Sequence, residues 1–171
     1  MDRKYAFSWE HLGDLAAGRP NLGPLTRLEV YRLMQFCFRD VVEARFGTAA
    51  ADETFYEAGA LAGRHLYERL IAPVEGLDAF LAKLRDVLRD LKVGVLRVEE
   101  SDPEKGRFVL TVSEDVDCSG LPDLSYEVCR YDEGLISALL ESFTGRPFAV
   151  REIDCWSTGD RTCRFLAEAK A

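Results

Sequence analysis

The sequence predicts an α+β fold, in which N-terminal helices pack on a small antiparallel sheet and a short helix leads into a C-terminal hairpin. Three observations predict it. Apolar residues recur at spacings of three and four over the first half of the chain. The period drops to two after residue 92, where β-branched and aromatic residues collect. The order is helices, strands, helix, strands, without the strict alternation of βαβ units. The whole length, 171 residues, is read as one domain, 1–171, with 1–23 as an N-terminal arm.

The arm carries Trp9 and the loop-like clusters Gly18-Arg19-Pro20-Asn21 and Gly23-Pro24. A first long helix is expected from 25 to 46, started by Pro24 and closed by Gly47. Leu28, Tyr31, Met34, Phe38, Val41 and Val42 form its apolar face; Leu33, Phe36 and Cys37 widen it, which predicts burial on more than one side. A second helix fits 52–71. Its small residues Ala58, Gly59, Ala62 and Gly63 permit close approach of another backbone. The third is marked by Leu77, Phe80, Leu81, Leu84, Val87, Leu88 and Leu91. Strands are expected at 93–100 and 107–113 around a Pro103-Glu104-Lys105-Gly106 turn, a short helix at 132–143, and a final hairpin of 148–155 and 163–167.

Composition narrows the function. Thirty acidic against 22 basic residues give a net charge of −8, which disfavours binding to a phosphate backbone. No apolar run is long enough to span a bilayer, and Met1–Tyr5 lacks the apolar stretch of a signal peptide, so a cytoplasmic location is expected. In a reducing compartment the five cysteines read as metal ligands or core thiols rather than disulfides.

Four of those cysteines lie between 118 and 163, and the final hairpin carries the pattern Cys129-x22-Glu152-x2-Cys155-x7-Cys163. A hairpin turn brings Cys155 and Cys163 together, and three thiolates with one carboxylate fill a tetrahedral zinc shell. Residues 152 and 155 of an ideal strand face opposite ways. Both can ligate only if the strand ends or bulges near Asp154. Asp154 and Cys118 therefore stand as alternatives for the fourth place. Such a shell carries a net charge of about −2. Arg130, Arg151, Arg161 and Arg164 each lie within two residues of a proposed ligand, either as compensating cations or as the solvent-facing ends of strands. Cys37 is read as a core thiol. The histidines, His11 and His65, lie far from the cysteines in sequence, and a closed, thiolate-rich shell points to structure rather than water activation. No dinucleotide fingerprint, P-loop or nucleophile elbow is found.

The stretch from Tyr126 to Ile136 (YEVCRYDEGLI), followed by Val150 to Phe165 (VREIDCWSTGDRTCRF), resembles the 4-vinyl-reductase domain family, also called hydrocarbon-binding domains. Gly18–Gly23 and Tyr56–Gly59 are similar to its single-domain members. The resemblance implies the fold of nitric-oxide-signalling and Golgi-transport ligand domains, in which helices and an antiparallel sheet enclose a small-molecule pocket. For aromatic-sensing members it implies a homodimer and a structural Zn2+ held by three Cys and one Glu, which map onto Cys129, Glu152, Cys155 and Cys163.

The expected function is a sensor or carrier domain for a small hydrophobic or aromatic ligand, acting through a separate effector protein rather than on nucleic acid or membrane. Phe80, Phe108, Phe143, Phe148 and Trp156 are candidate pocket residues, each also readable as ordinary core. The alternatives are an enzyme or accessory protein handling a vinyl-bearing tetrapyrrole, and a scaffolding protein with a filled pocket. No catalytic residue is assigned.

Overall fold

The structure, a computed structural model, describes residues 3–170; Met1 and Asp2 of the expected arm, and Ala171, lie outside the described residues. Its contacts divide the chain into one unit ending at Phe38 and a second beginning at Arg39. The first unit holds a short 3-10 turn (Trp9–Leu12), the four-residue helix α1 (Leu15–Gly18) and the start of α2 (Leu28–Phe46). Asp14 caps α1 by accepting from the Ala17 amide.

The α2 helix corrects the sequence reading. It begins at Leu28, not 25, and none of its residues is buried. Leu33, Met34, Phe38, Val41 and Phe46 are exposed, and so is Cys37, expected in the core. Periodicity reports only that a face is apolar, not what covers it, so the apolar width of α2 does not translate into burial within this chain.

The second unit holds α3 (Thr48–Leu66), a π-helical turn (Tyr67–Ile71), α4 (Leu77–Asp90), β1 (Val95–Asp102), β2 (Arg107–Ser113), α5 (Arg130–Thr144), β3 (Phe148–Asp154) and β4 (Cys163–Ala169). The strands form one antiparallel sheet in the order β1-β2-β4-β3. Helices α4 and α5 and all four strands contribute to the core, where Phe80, Leu84, Leu96, Phe108, Leu110, Leu139, Phe148 and Phe165 are buried, with β2 and β4 as the inner strands of the sheet. Nine successive residues of α5, Asp132 to Leu140, are buried, so this helix is enclosed on all sides.

Glycine makes that enclosure possible. A Cβ on Gly59 of α3 would lie 1.9 Å from the Tyr131 carbonyl oxygen of α5, and one on Gly134 would lie 1.9 Å from that of Tyr56. Gly63 meets the Leu135 carbonyl in the same way, at 2.6 Å. The two helices thus touch backbone to backbone, as the small-residue stretch of α3 predicts. Arg39 and Arg130 both pair with Asp52, which ties α3 to the first turn of α5.

Candidate metal centre

Three segments converge on the cysteines. The loop after β2 supplies Cys118. Its backbone turns at Glu114, which has a positive φ of 54°, and Asp115 then folds its carboxylate back on the chain. Asp115 Oδ1 accepts from the amides of Asp117 at 2.7 Å and Cys118 at 3.2 Å, a side-chain turn that fixes where Cys118 points. Cys129 is the N-cap residue of α5. The positive end of the helix favours a thiolate there. The β3–β4 connection supplies Cys155 and Cys163, joined by the short 3-10 turn Trp156–Thr158 and by Gly159 at φ 99°.

The strand objection is resolved by a bulge. The β3–β4 register shifts between Glu152 and Asp154, and β3 ends at Asp154. One extra residue rotates Cys155 back to the side Glu152 faces. Glu133 fixes this bulge: its Oε1 accepts from the Glu152 amide at 2.7 Å, while Arg130 holds the same carboxylate at 2.9 Å.

The sulfur atoms of Cys118, Cys129, Cys155 and Cys163 lie within 4.8 Å of one another, and all four residues are buried. Cys118 Sγ is 2.9 Å from that of Cys163, and Cys129 Sγ is 3.8 Å from both Cys155 and Cys163. Hydrogen bonds from Cys118, then from Cys129 and Cys163, hold the Cys155 thiol well below its usual value; Ser157 Oγ, 3.0 Å from its sulfur, adds to this. The same crowding pushes Cys129 and Cys163 up, with Cys118 the largest cause for each. One thiolate is therefore favoured among the four, and a divalent cation held between them would allow the others to ionise as well.

Glu152 borders the thiols. Its carboxyl is pushed up to about 9, chiefly by burial and then by Cys155. Its Oε2 accepts from the Cys129 amide at 3.4 Å, and its Oε1 has no hydrogen-bond partner among the described residues. Three expected ligands thus meet, with two donors, Cys118 and Glu152, beside the fourth place. Asp154, the other alternative, pairs with Arg164 instead. Of the four arginines considered as compensating cations, Arg130 serves Glu133 and Asp52, Arg164 serves Glu99 and Asp154, and Arg151 and Arg161 face solvent. His11 accepts from the Ser8 amide and His65 is half-buried on α3; neither belongs to the cluster.

The expected pocket residues separate into two aromatic pairs and a lone Trp156. Phe80 and Phe143 stack at 4.3 Å with Tyr67 of the π-turn beside Phe80, and Phe108 packs against Phe148 at 5.9 Å. Trp156 follows Cys155 directly at the cysteine cluster, donating its indole N–H to the Leu121 carbonyl. A groove of about 540 Å3 runs between α4 and β1, lined by Leu81, Ala82, Arg85, Leu96, Arg97 and Val98, among others. None of the five expected aromatics lines it.

Comparison with known proteins bears on the fold and on the span that holds the cysteines. The family model of the 4-vinyl-reductase domain matches residues 108–169, the span that holds all four clustered cysteines. An uncharacterized protein of Methanocaldococcus jannaschii is 26% identical over 147 residues, covering 86% of this chain and 78% of that protein. A second from the same organism is 31% identical over 117 residues, covering 67% of this chain and 55% of that protein. Among solved structures, a vinyl-4-reductase family protein from Methanocaldococcus jannaschii superposes with a TM-score of 0.60, 17% identity and coverage of 87% and 85%. The phenol-responsive sensory domain of the transcription activator PoxR, solved with phenol, gives 0.65, 14%, and 85% and 76%. A trafficking protein particle complex subunit 3 from Naegleria fowleri, covalently bound to palmitic acid, gives 0.65, 12%, and 84% and 95%. At these identities the structures are similar to this chain in fold.

Proposed function

The chain carries a 4-vinyl-reductase domain at residues 108–169, and from that premise we propose that it is a small-molecule-binding sensor or carrier domain braced by a structural zinc ion. The observation that carries this reading is the buried four-cysteine cluster inside the family-matched span. Thiolate-rich, tetrahedral and closed shells are the signature of structural zinc. Cys129, Cys155 and Cys163 would hold the ion, with Cys118 or Glu152 as the fourth donor. Zinc supplies cross-linking here: it would tie the loop after β2, the start of α5 and the final hairpin at one point.

The ligand would be apolar or aromatic. The fold is that of a sensory domain solved with phenol, and a π-turn, a feature frequent at functional sites, sets Tyr67 against the Phe80–Phe143 stack. We place the ligand at these aromatics, with Phe108, Phe148 and Trp156 as further candidates. The exposed apolar side chains of α2, with Met34 68% and Phe46 69% accessible, support a homodimer that covers them. No helix among the described residues is long and apolar enough to cross a membrane. A cytoplasmic domain that passes its signal to a separate effector protein is the arrangement that fits this reading.

Native mass spectrometry on protein purified without added metal tests it in one spectrum. A dimer with zinc and a retained organic mass supports the reading; a metal-free monomer contradicts it.

A further inference from the structure

Two acidic residues beside the cysteines, Asp115 and Asp132, have no part in the proposed zinc shell, yet they are placed like ligands. One carboxylate oxygen each of Asp115 and Asp132, and Cys129 Sγ, lie within 4.8 Å of one another. All three residues are buried. Asp132 is only 4% exposed, and its Oδ2 has no hydrogen-bond partner among the described residues. It sits in the first turn of α5, three residues after Cys129, so one helical turn brings both to the same side. Asp115 is held in place by its own turn, through Oδ1 and the amides of Asp117 and Cys118. Arg130, which could neutralise this group from the same helix end, points instead to Glu133 and Asp52. A buried, unpaired carboxylate is costly unless a proton or a cation joins it.

Cys129 belongs to both donor groups, and a thiolate sulfur has lone pairs enough for two metals. We propose that the protein holds a second divalent cation, ligated by Asp115, Asp132 and a bridging Cys129 thiolate, next to the ion of the four-cysteine cluster. Zinc suits a mixed carboxylate and thiolate donor set. Three protein donors leave a fourth place open, as at zinc sites that bind a water or a substrate atom. The proposal rests on the thiolate centre of the preceding reading through Cys129.

Cadmium titration of the full chain, stripped of metal, tests it. Native mass spectrometry counts the ions while ultraviolet absorption reports cadmium–thiolate bonds. The wild type is expected to take two ions per chain. Asp132→Asn and Asp115→Asn keep the side-chain shape, and Asn retains the carbonyl oxygen that caps the Asp115 turn. Each variant is expected to take one ion, with the thiolate absorption of the cysteine cluster retained, only the bridging Cys129 contribution lost, and an unchanged circular dichroism spectrum. A wild type that saturates at one ion with full thiolate absorption overturns the second site and leaves the thiolate centre standing. Two ions retained in Asp132→Asn also overturn it, because the second ion then lies elsewhere. Absence of thiolate absorption in the wild type removes both centres.

Discussion

In the proposed metal centre, Cys155 is the residue through which a bound ion would act on the fold. It lies where β3 ends, its thiol is the one the neighbouring sulfurs favour as thiolate, and Ser157 links it to the Tyr126 carbonyl. Cys155→Ser is therefore expected to abolish stoichiometric zinc and to destabilise the C-terminal half. Structural zinc in small peptides contributes roughly 10–16 kcal/mol of apparent binding coupled to folding. A melting curve like that of the wild type would contradict this. The fourth ligand is separated by a pair of variants. If Cys118 ligates, Cys118→Ser weakens zinc affinity far more than Glu152→Gln, and the reverse ranking assigns the place to Glu152; competition with a chromogenic chelator reads both. Cys37→Ala, on the exposed face of α2, is expected to leave zinc content unchanged.

At the scale of elements, the contact between α3 and α5 sets how far the site can tolerate change. Gly→Ala in a helix interior ordinarily gains about 1 kcal/mol of propensity. Here the added methyl at Gly59 or Gly134 meets a carbonyl oxygen 1.9 Å away, and backbone cannot swing aside as a side chain can. Overpacking costs about 1–3 kcal/mol, occasionally more, so the sign reverses. Both Gly59→Ala and Gly134→Ala are expected to lower the denaturant midpoint; a rise in either would mean the helices are further apart. Because Cys129 is the N-cap of α5, both variants are also expected to weaken zinc binding.

These elements differ in how legible they are in the sequence. The strands β3 and β4 and helix α4 follow from periodicity because each has one buried face, while β2, buried on both faces, is a near-continuous apolar run at the expected 107–113. The bulge near Asp154 is demanded by the ligand pattern alone, since Glu152 and Cys155 cannot share a face otherwise. The start of α3 escapes the sequence because Gly47 both ends α2 and opens α3, with its carbonyl accepting from Ala51, leaving no loop to detect. Cys118 looks weaker in sequence than in structure because its position depends on the Asp115 side-chain turn. Asp115 and Asp132 give no signal at all. A carboxylate in a loop or at a helix start reads as solvated, and nothing in the local sequence says that α5 is enclosed.

For the whole molecule, the site is an accumulation of buried acid that the fold holds at a cost. Asp115 is pushed up to about 7, mainly by burial and then by Asp117, and Glu152 to about 9, mainly by burial and then by Cys155. Asp132 is raised as well, by burial and then Asp115. A carboxyl whose folded value lies above its unfolded one binds more protons in the native state between the two values, so stability falls as pH rises through that window. Metal-free protein is therefore expected to melt at progressively lower temperature between about pH 4 and pH 9. Bound metal removes this penalty by neutralising the ionised groups, so zinc-loaded protein is expected to show a larger advantage over the chelated form at pH 8 than at pH 5. Equal stabilisation by zinc at both values would contradict the electrostatic account. Metal binding would thus hold the family-matched span in a single arrangement, against which an apolar ligand can be read.

X-ray absorption at the zinc edge, on protein purified without added metal, addresses the central claim most directly. The account predicts a first shell dominated by sulfur, four or three atoms at about 2.3 Å with any remaining ligand an oxygen at about 2.0–2.2 Å. A shell of nitrogen and oxygen alone, or no zinc in the sample, would contradict it.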